Sequence, residues 1–230
     1  MRTRLAALAA SFLLGGGALS PVHAQMAPLL VGYDESGLVV EEVTGIVGLD
    51  FVRGPGVTDL GGTRFDSGGF DEGNSIPAAF AAEDYWEFGL TVDPGFEVAL
   101  DTLDIVVTRD GNGPDAAYVV TSLDGFEALL RRNVAIGTGP SRLLDVDVSG
   151  FEAVTGTVSF RIYGYDRNGA NGRFQLLNDA SIVAAEGEGA VAIYGEVFAV
   201  PEPAEWALSP TALVAVTGVV RARRAIPLPG

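Results

Sequence analysis

Apolar and polar residues alternate along most of the chain with a period of two, the mark of half-buried β-strands. Trp86, Phe88, Leu90 and Val92 alternate with Glu87, Gly89, Thr91 and Asp93. After the turn Asp93-Pro94-Gly95, Phe96, Val98 and Leu100 resume the pattern. Leu103, Ile105 and Val107 then carry it on with shifted parity, so a bulge or tight bend is expected at Asp101-Thr102. Further strands are predicted over residues 38–47 and 118–123. Others follow at Leu144, Val146 and Val148, at Val158, Phe160 and Ile162, and over 190–200.

Turn chemistry separates these runs: Asp110-Gly111-Asn112-Gly113-Pro114, Asp124-Gly125, Asn168-Gly169 and Asn171-Gly172. Only residues 125–132 have a helical look, as a short surface turn. Residues 54–82, rich in Gly, Asp and Ser, read as a long surface loop pinned by Phe65, Phe70 and Phe80. Many strands joined by short polar turns predict an all-β fold: an antiparallel, jelly-roll-like β-sandwich over residues 25–199.

The two ends follow other patterns. Arg2 and Arg4 precede a short apolar run, and Val22-His23-Ala24 presents small residues at the positions a signal peptidase reads. Residues 1–24 are therefore expected to be a secretory signal helix, cut between Ala24 and Gln25. At the other end Val200-Pro201-Glu202-Pro203 precedes an apolar segment at 204–220, then Arg221, Arg223 and Arg224, then a tail at 225–230. A bilayer-spanning helix needs about 20 apolar residues, so this segment is slightly short; it carries Glu205 at its outer edge and Pro210 inside. Arginines just past it would stay cytoplasmic.

Composition narrows the chemistry. Hydrophobic residues make up 48% of the chain and charged residues 19%, enough apolar surface for a core in one domain. The 31 glycines and 12 prolines fit a turn-rich β protein. Cysteine is absent, and the one histidine, His23, lies in the expected leader. A mature domain without His or Cys cannot build a Ser-His-Asp triad, a Cys-His nucleophile or an ordinary zinc site. The net charge is −16 and every basic residue is arginine, five of them in the two terminal segments. The remaining domain is more acidic still, so nucleic acid is not an expected partner.

The C-terminal arrangement, taken with the leader, resembles a PEP-CTERM sorting signal. The resemblance covers residues 200–224 and rests on Val200, Pro201, Glu202, Pro203, Arg221, Arg223 and Arg224. It implies export in a Gram-negative bacterium by signal peptidase and the export machinery, and transient anchoring in the inner membrane. Recognition by an exosortase at the Pro-Glu-Pro motif would follow, and then residence at the cell surface or in exopolysaccharide. The Pro210 interruption and the tail past the arginines depart from that pattern. More loosely, three segments resemble the β-sandwich domains often joined to this signal. They are residues 85–92, Gly113-Pro114 with Tyr118 leading to Ser122-Leu123-Asp124-Gly125-Phe126, and Phe160-Arg161-Ile162-Tyr163-Gly164-Tyr165.

Three constellations could carry chemistry. Asp110, Asn112 and Asp115 place three oxygen ligands in one loop, which suits either calcium or a simple hairpin turn, and Asp166 with Asn168 is a weaker version. Arg161, Tyr163 and Tyr165 share the strand face opposite Phe160 and Ile162, while Asp145 and Asp147 lie on the outer face of another strand. Such a patch would suit glycan stacking and hydroxyl bonding, or equally a second core. Glu83, Asp84 and Glu87 crowd one strand start, but their spacing departs from the E-x-D-x-x-E pattern of sandwich-fold glucanases. The expectation is a non-catalytic structural or adhesive surface protein. A carbohydrate-binding module is the alternative, and a calcium-dependent glycan hydrolase stands third.

Overall fold

The alternating segments pair into antiparallel ladders. The computed structural model describes residues 27–70, 75–151, 153–169, 172–184 and 187–200. The first strands are β1 (Leu29–Tyr33), β2 (Val39–Glu42), β3 (Ile46–Arg53), β4 (Thr58–Asp59) and β5 (Asp66–Gly68). A helix α1 (Ile76–Ala82) precedes β6 (Tyr85–Val92), β7 (Phe96–Arg109) and β8 (Pro114–Thr121). Then come β9 (Arg131–Ala135), β10 (Ser141–Asp147), β11 (Gly156–Arg167) and β12 (Phe174–Leu176). The hairpin β13 (Asp179–Ala184) and β14 (Gly187–Gly189) leads to β15 (Val191–Ala199).

Two sheets share one apolar core. The larger contains β2, β1, β15, β7, β12, β5 and β4, with β10 also on β7; the smaller runs β3-β6-β11-β8-β9. Strand β7 organises the larger sheet. Ile105 pairs with both Val191 of β15 and Leu143 of β10, and Val107 with both Ser141 of β10 and Leu176 of β12. So β10 lies along one edge of β7, and β15 and β12 follow each other along the opposite edge. The core draws Val98, Leu100, Leu103 and Ile105 from one sheet, and Trp86, Phe88, Leu90, Phe160 and Ile162 from the other. This all-β, sandwich-like arrangement is the expected fold class.

The parity shift in β7 is real and lies where expected. Its register against β15 moves from Ile193↔Leu103 to Gly195↔Leu100, one extra residue on β7 at Asp101-Thr102. The bulge lets Val98, Leu100, Leu103, Ile105 and Val107 all face inward. The turn before β7 is closed by the Phe96 amide donating to the Asp93 carbonyl (3.1 Å), with Gly95 at φ 86°.

Three expectations need correction. Along β10 and just past its end the inward residues are Leu143, Val146 and Val148, not an unbroken Leu144-Val146-Val148 alternation. A second bulge sits between Leu143 and Val146, with Asp145 at φ 55°. Residues 54–82 are not simply a loop. They contribute β4 and β5 to the larger sheet and α1 to the outer face of the smaller one, although Phe65 and Phe70 are indeed buried. The helix is α1, begun by Pro77 in its first turn and ended by Glu83 in the left-handed region, whereas the 125–132 segment runs into strand β9.

Both outer faces are partly roofed. Under α1, Ala79 is buried and Phe80 stacks on Tyr163 at 4.6 Å, and Tyr163 in turn stacks on Tyr118 at 4.9 Å. On the larger sheet Ile182 of β13 packs with Val106, Ala192 and Tyr194. The hairpin is tied down by Arg142, which donates to both carboxylate oxygens of Asp179 at 2.8 and 2.5 Å.

Trp86 joins the sheets most closely. It is fully buried, stacks on Phe174 at 4.3 Å, and donates its indole N–H to Ser67 Oγ at 2.8 Å. Trp86→Ala is expected to lower the unfolding free energy by about 3–5 kcal/mol. Trp86→Phe, which keeps most of the stack and loses one hydrogen bond, should cost clearly less. Denaturant titration of both variants checks the order; equal losses would remove the stack as the main contribution.

Candidate functional site

The sequence-marked residues do not form one site. Arg161, Tyr163 and Tyr165 do share a face of β11 opposite Phe160 and Ile162. That face is a second small core: Tyr163 is 1% exposed and Tyr165 6%. With α1, Tyr118 and Phe126 packed over them, the two rings offer no open face for a sugar to stack on. Arg161 is held in place as well. Its guanidinium lies 4.1 Å from the Tyr85 ring centre and 3.9 Å from that of Phe126, and its Nε donates to Glu87 at 2.6 Å. Asp145 and Asp147 are exposed on β10, in the other sheet. The expected ligand patch is thus divided between the outer faces of two sheets that pack against each other.

The two aspartates have local roles. Asp147 accepts from the Ser149 hydroxyl (2.7 Å) and amide (2.9 Å), which holds its carboxyl below the ordinary range. The amide of Asp145 donates to Asp104 Oδ1 at 2.7 Å, fixing the bulge. Asp104 is almost completely buried, and burial pushes its carboxyl above the ordinary range despite that bond.

The 110–115 loop is internally satisfied. Asp110 accepts from the amides of Asn112 (2.9 Å) and Arg173 (3.1 Å). Asp115 is ion-paired with Arg109 and accepts from Asn168 Nδ2 at 2.6 Å. Arg109 also donates to the carbonyls of Ile136 (2.7 Å) and Gly113 (3.0 Å). A guanidinium therefore stands beside the carboxylate that a calcium ion would need, and the loop staples the β7–β8 turn to the segment before β12. Among the described residues no three Asp or Glu side chains group closely enough to hold a metal ion. Glu83, Asp84 and Glu87 separate too. Glu83 caps α1 in the open, Asp84 is buried against Gly56, and Glu87 is taken by Arg161.

A cleft of about 260 Å³ opens elsewhere, where the β1–β2 turn, the end of β3 and the β4–β5 loop meet. Phe51 and Phe65 form its buried floor, with ring centres 5.4 Å apart. Arg53 lies over Phe65 at 3.9 Å and is aimed by bonds to Ser67 Oγ (2.8 Å) and the Asp66 carbonyl (2.9 Å). It pairs with the exposed Asp59 at 3.0 Å. Arg64, on the same cleft, pairs with Glu35 at 2.9 Å. Leu38 stands at the rim, 53% exposed. Sequence reasoning missed this site because its parts come from three separate segments within residues 36–65 that only the fold brings together. The one local hint is Gly61-Gly62, both at positive φ, directly before Thr63-Arg64.

Of the residues expected to form a sorting motif only Val200 is described. It follows β15, and its amide donates to the Gly95 carbonyl at 2.8 Å. Pro201, Glu202, Pro203, Arg221, Arg223 and Arg224, the 204–220 segment and the leader lie outside the described residues. Among the described residues no helix is long and apolar enough to cross a membrane. No protein-family model matches the chain. No curated protein matches it.

Two predictions follow from these contacts. Melting temperatures in calcium and in chelator should coincide, while Asp110→Ala, which strands two amides, should cost about 1–2 kcal/mol. A calcium-dependent rise in melting temperature that Asp110→Ala abolishes would reverse that reading. For Asp104, the folded-state pKa lies above the unfolded value. Its contribution therefore favours the fold below the unfolded pKa and is lost as pH rises through the folded one. Asp104→Asn still accepts from the Asp145 amide, so it should match wild type near pH 3 and melt higher at pH 7. An Asn variant that matches wild type near pH 3 but is less stable at pH 7 would show that the carboxylate is needed in its charged form.

Proposed function

We propose that this protein is an exported, non-catalytic component of a bacterial cell surface or exopolysaccharide matrix. In this reading its β domain is a structural or adhesive unit, held briefly at the inner membrane and released by an exosortase acting near Pro201-Glu202-Pro203. The observation that carries the reading is the junction at Val200. The last strand, β15, is hydrogen-bonded on both edges, to β1 and to β7, and the sorting motif begins directly after it. A cut within residues 201–203 would release the domain with its core complete. Before the cut, a pull on the C-terminus would be resisted by two ladders in shear rather than by one edge strand peeling away.

Other features support the same role. The core closes without cysteine, Glu83, Asp84 and Glu87 sit in separate surroundings, and the acidic chain would stay soluble among other molecules. Repeated crossing of the chain between sheets, at β2 to β3, β3 to β4, β5 to β6, β6 to β7, β7 to β8, β9 to β10, β10 to β11 and β11 to β12, favours the jelly-roll-like winding. The carbohydrate-binding alternative loses its first candidate surface, since Tyr163 and Tyr165 are buried.

Intact-mass spectrometry of the protein released from the surface of its host tests the reading. The expected product begins at Gln25 and ends within residues 200–203. A released form that retains residues 204–224 would overturn it, as would a product confined to the cytoplasm.

A further inference from the structure

The geometry points to the cleft between the β1–β2 turn, the end of β3 and the β4–β5 loop as a binding site for a neutral sugar unit of a polysaccharide. The inference rests on the matrix reading for the source of its ligand, and on the cleft itself for the chemistry.

Three properties choose the ligand class. Each arginine of the cleft already has a carboxylate: Arg53 with Asp59, and Arg64 with Glu35. An anionic ligand would have to displace those carboxylates and approach a chain of net charge −16. A neutral polyol needs no displacement. Its hydroxyls are donors and acceptors at once, so one hydroxyl can donate to Asp59 while its neighbour accepts from Arg53.

The apolar groups fit the other side of a sugar. Leu38 at the rim can cover the C–H face of a pyranose, while Phe51 and Phe65, each only 6% exposed, close the bottom of the cleft with ring edges, an apolar wall beside a few fixed polar groups. The volume of about 260 Å³ lies just below the range of drug-sized pockets, roughly 300–1,000 Å³, which suits a short saccharide segment.

The cleft is also partly preorganised. Arg53 is fixed by Ser67, Asp66 and the Phe65 ring before any ligand arrives, so little side-chain freedom remains to be lost there. Leu38 and Asp59, by contrast, are largely exposed. They can be replaced without opening the core.

Affinity electrophoresis of the full chain through native gels containing dextran, mannan, galactomannan or xylan tests the site, with alginate as the anionic comparison. Retardation by at least one neutral polymer is expected. Leu38→Ala and Asp59→Ala should each weaken it at least about tenfold, with the melting temperature unchanged for Leu38→Ala and lowered only slightly for Asp59→Ala, which frees the exposed Gly61 amide. No retardation by any neutral polymer would overturn the inference. So would retardation that both variants leave intact, or retardation by alginate alone. A chain cut at residues 200–203 yet not retarded removes the cleft and spares the matrix reading. A chain retarded through Leu38 and Asp59 yet never cut upholds the cleft and removes the sorting reading.

Discussion

The fold depends on an aromatic seam between two sheets that no covalent bond joins. Tyr33 of the larger sheet meets Phe51 and Phe88 of the smaller one edge-on, these two stack on each other at 4.4 Å within their own sheet, and Trp86 contacts both Phe65 and Phe174. Two buried polar links cross the same seam: the Tyr33 hydroxyl donates to the Gly89 carbonyl, and the Trp86 indole to Ser67. Burying each such ring contributes about 1.5–3 kcal/mol, and favourable ring pairs add roughly 0.5–1.5. Exposed ion pairs of the kind scattered over this surface are worth about 0–1 kcal/mol each. The seam therefore outweighs the charges, and it holds the sheets together in a chain that has no cysteine.

What the seam needs explains several local features. Gly89 has no side chain because a Cβ there would sit 2.0 Å from the Val158 carbonyl, and its own carbonyl must stay open to Tyr33. The β7 and β10 bulges each insert one residue, and each keeps the following apolar residues pointed inward. Asp104 takes the free amide that the second bulge creates. Ser67, brought to the seam by the short strand β5, accepts from both Trp86 and Arg53. The packing of the core and the aiming of Arg53 into the cleft are thus one arrangement seen from two sides.

The surfaces differ in how much freedom they retain. Helix α1 and the β13–β14 hairpin cover parts of the outer faces, so residues that look available along a strand are spent on packing. At the sheet end near Leu38 no element among the described residues closes over the rim, and Leu38 stays exposed. There the arginine–carboxylate pairs stand over an aromatic floor and keep donors and acceptors facing outward. A cleft of this kind costs the fold little, because its most exposed members, Leu38 and Asp59, lie outside the seam.

Much of the fold was legible in the sequence, because a strand's period of two depends only on neighbouring residues. The alternation at Trp86–Val92, the parity slip at Asp101-Thr102, the inward face of Trp86 and the opposition of Arg161 to Phe160 could all be read locally. Composition alone removed histidine and cysteine chemistry from the domain. The remainder was decided by contacts between distant segments. Whether Tyr163 faced water or a roof depended on α1, some eighty residues earlier, in a stretch whose glycines masked a weak helix. The bulge at Asp145 required β7 as its partner, so Leu143 rather than Leu144 turned inward. The division of Arg161 from Asp145 and Asp147 followed from which sheet each strand joined. The cleft exists only because the β1–β2 turn, the end of β3 and the β4–β5 loop meet at one end of the sandwich. Periodicity records which side of a strand is dry; it carries no record of what lies above that side, and only packing decides it.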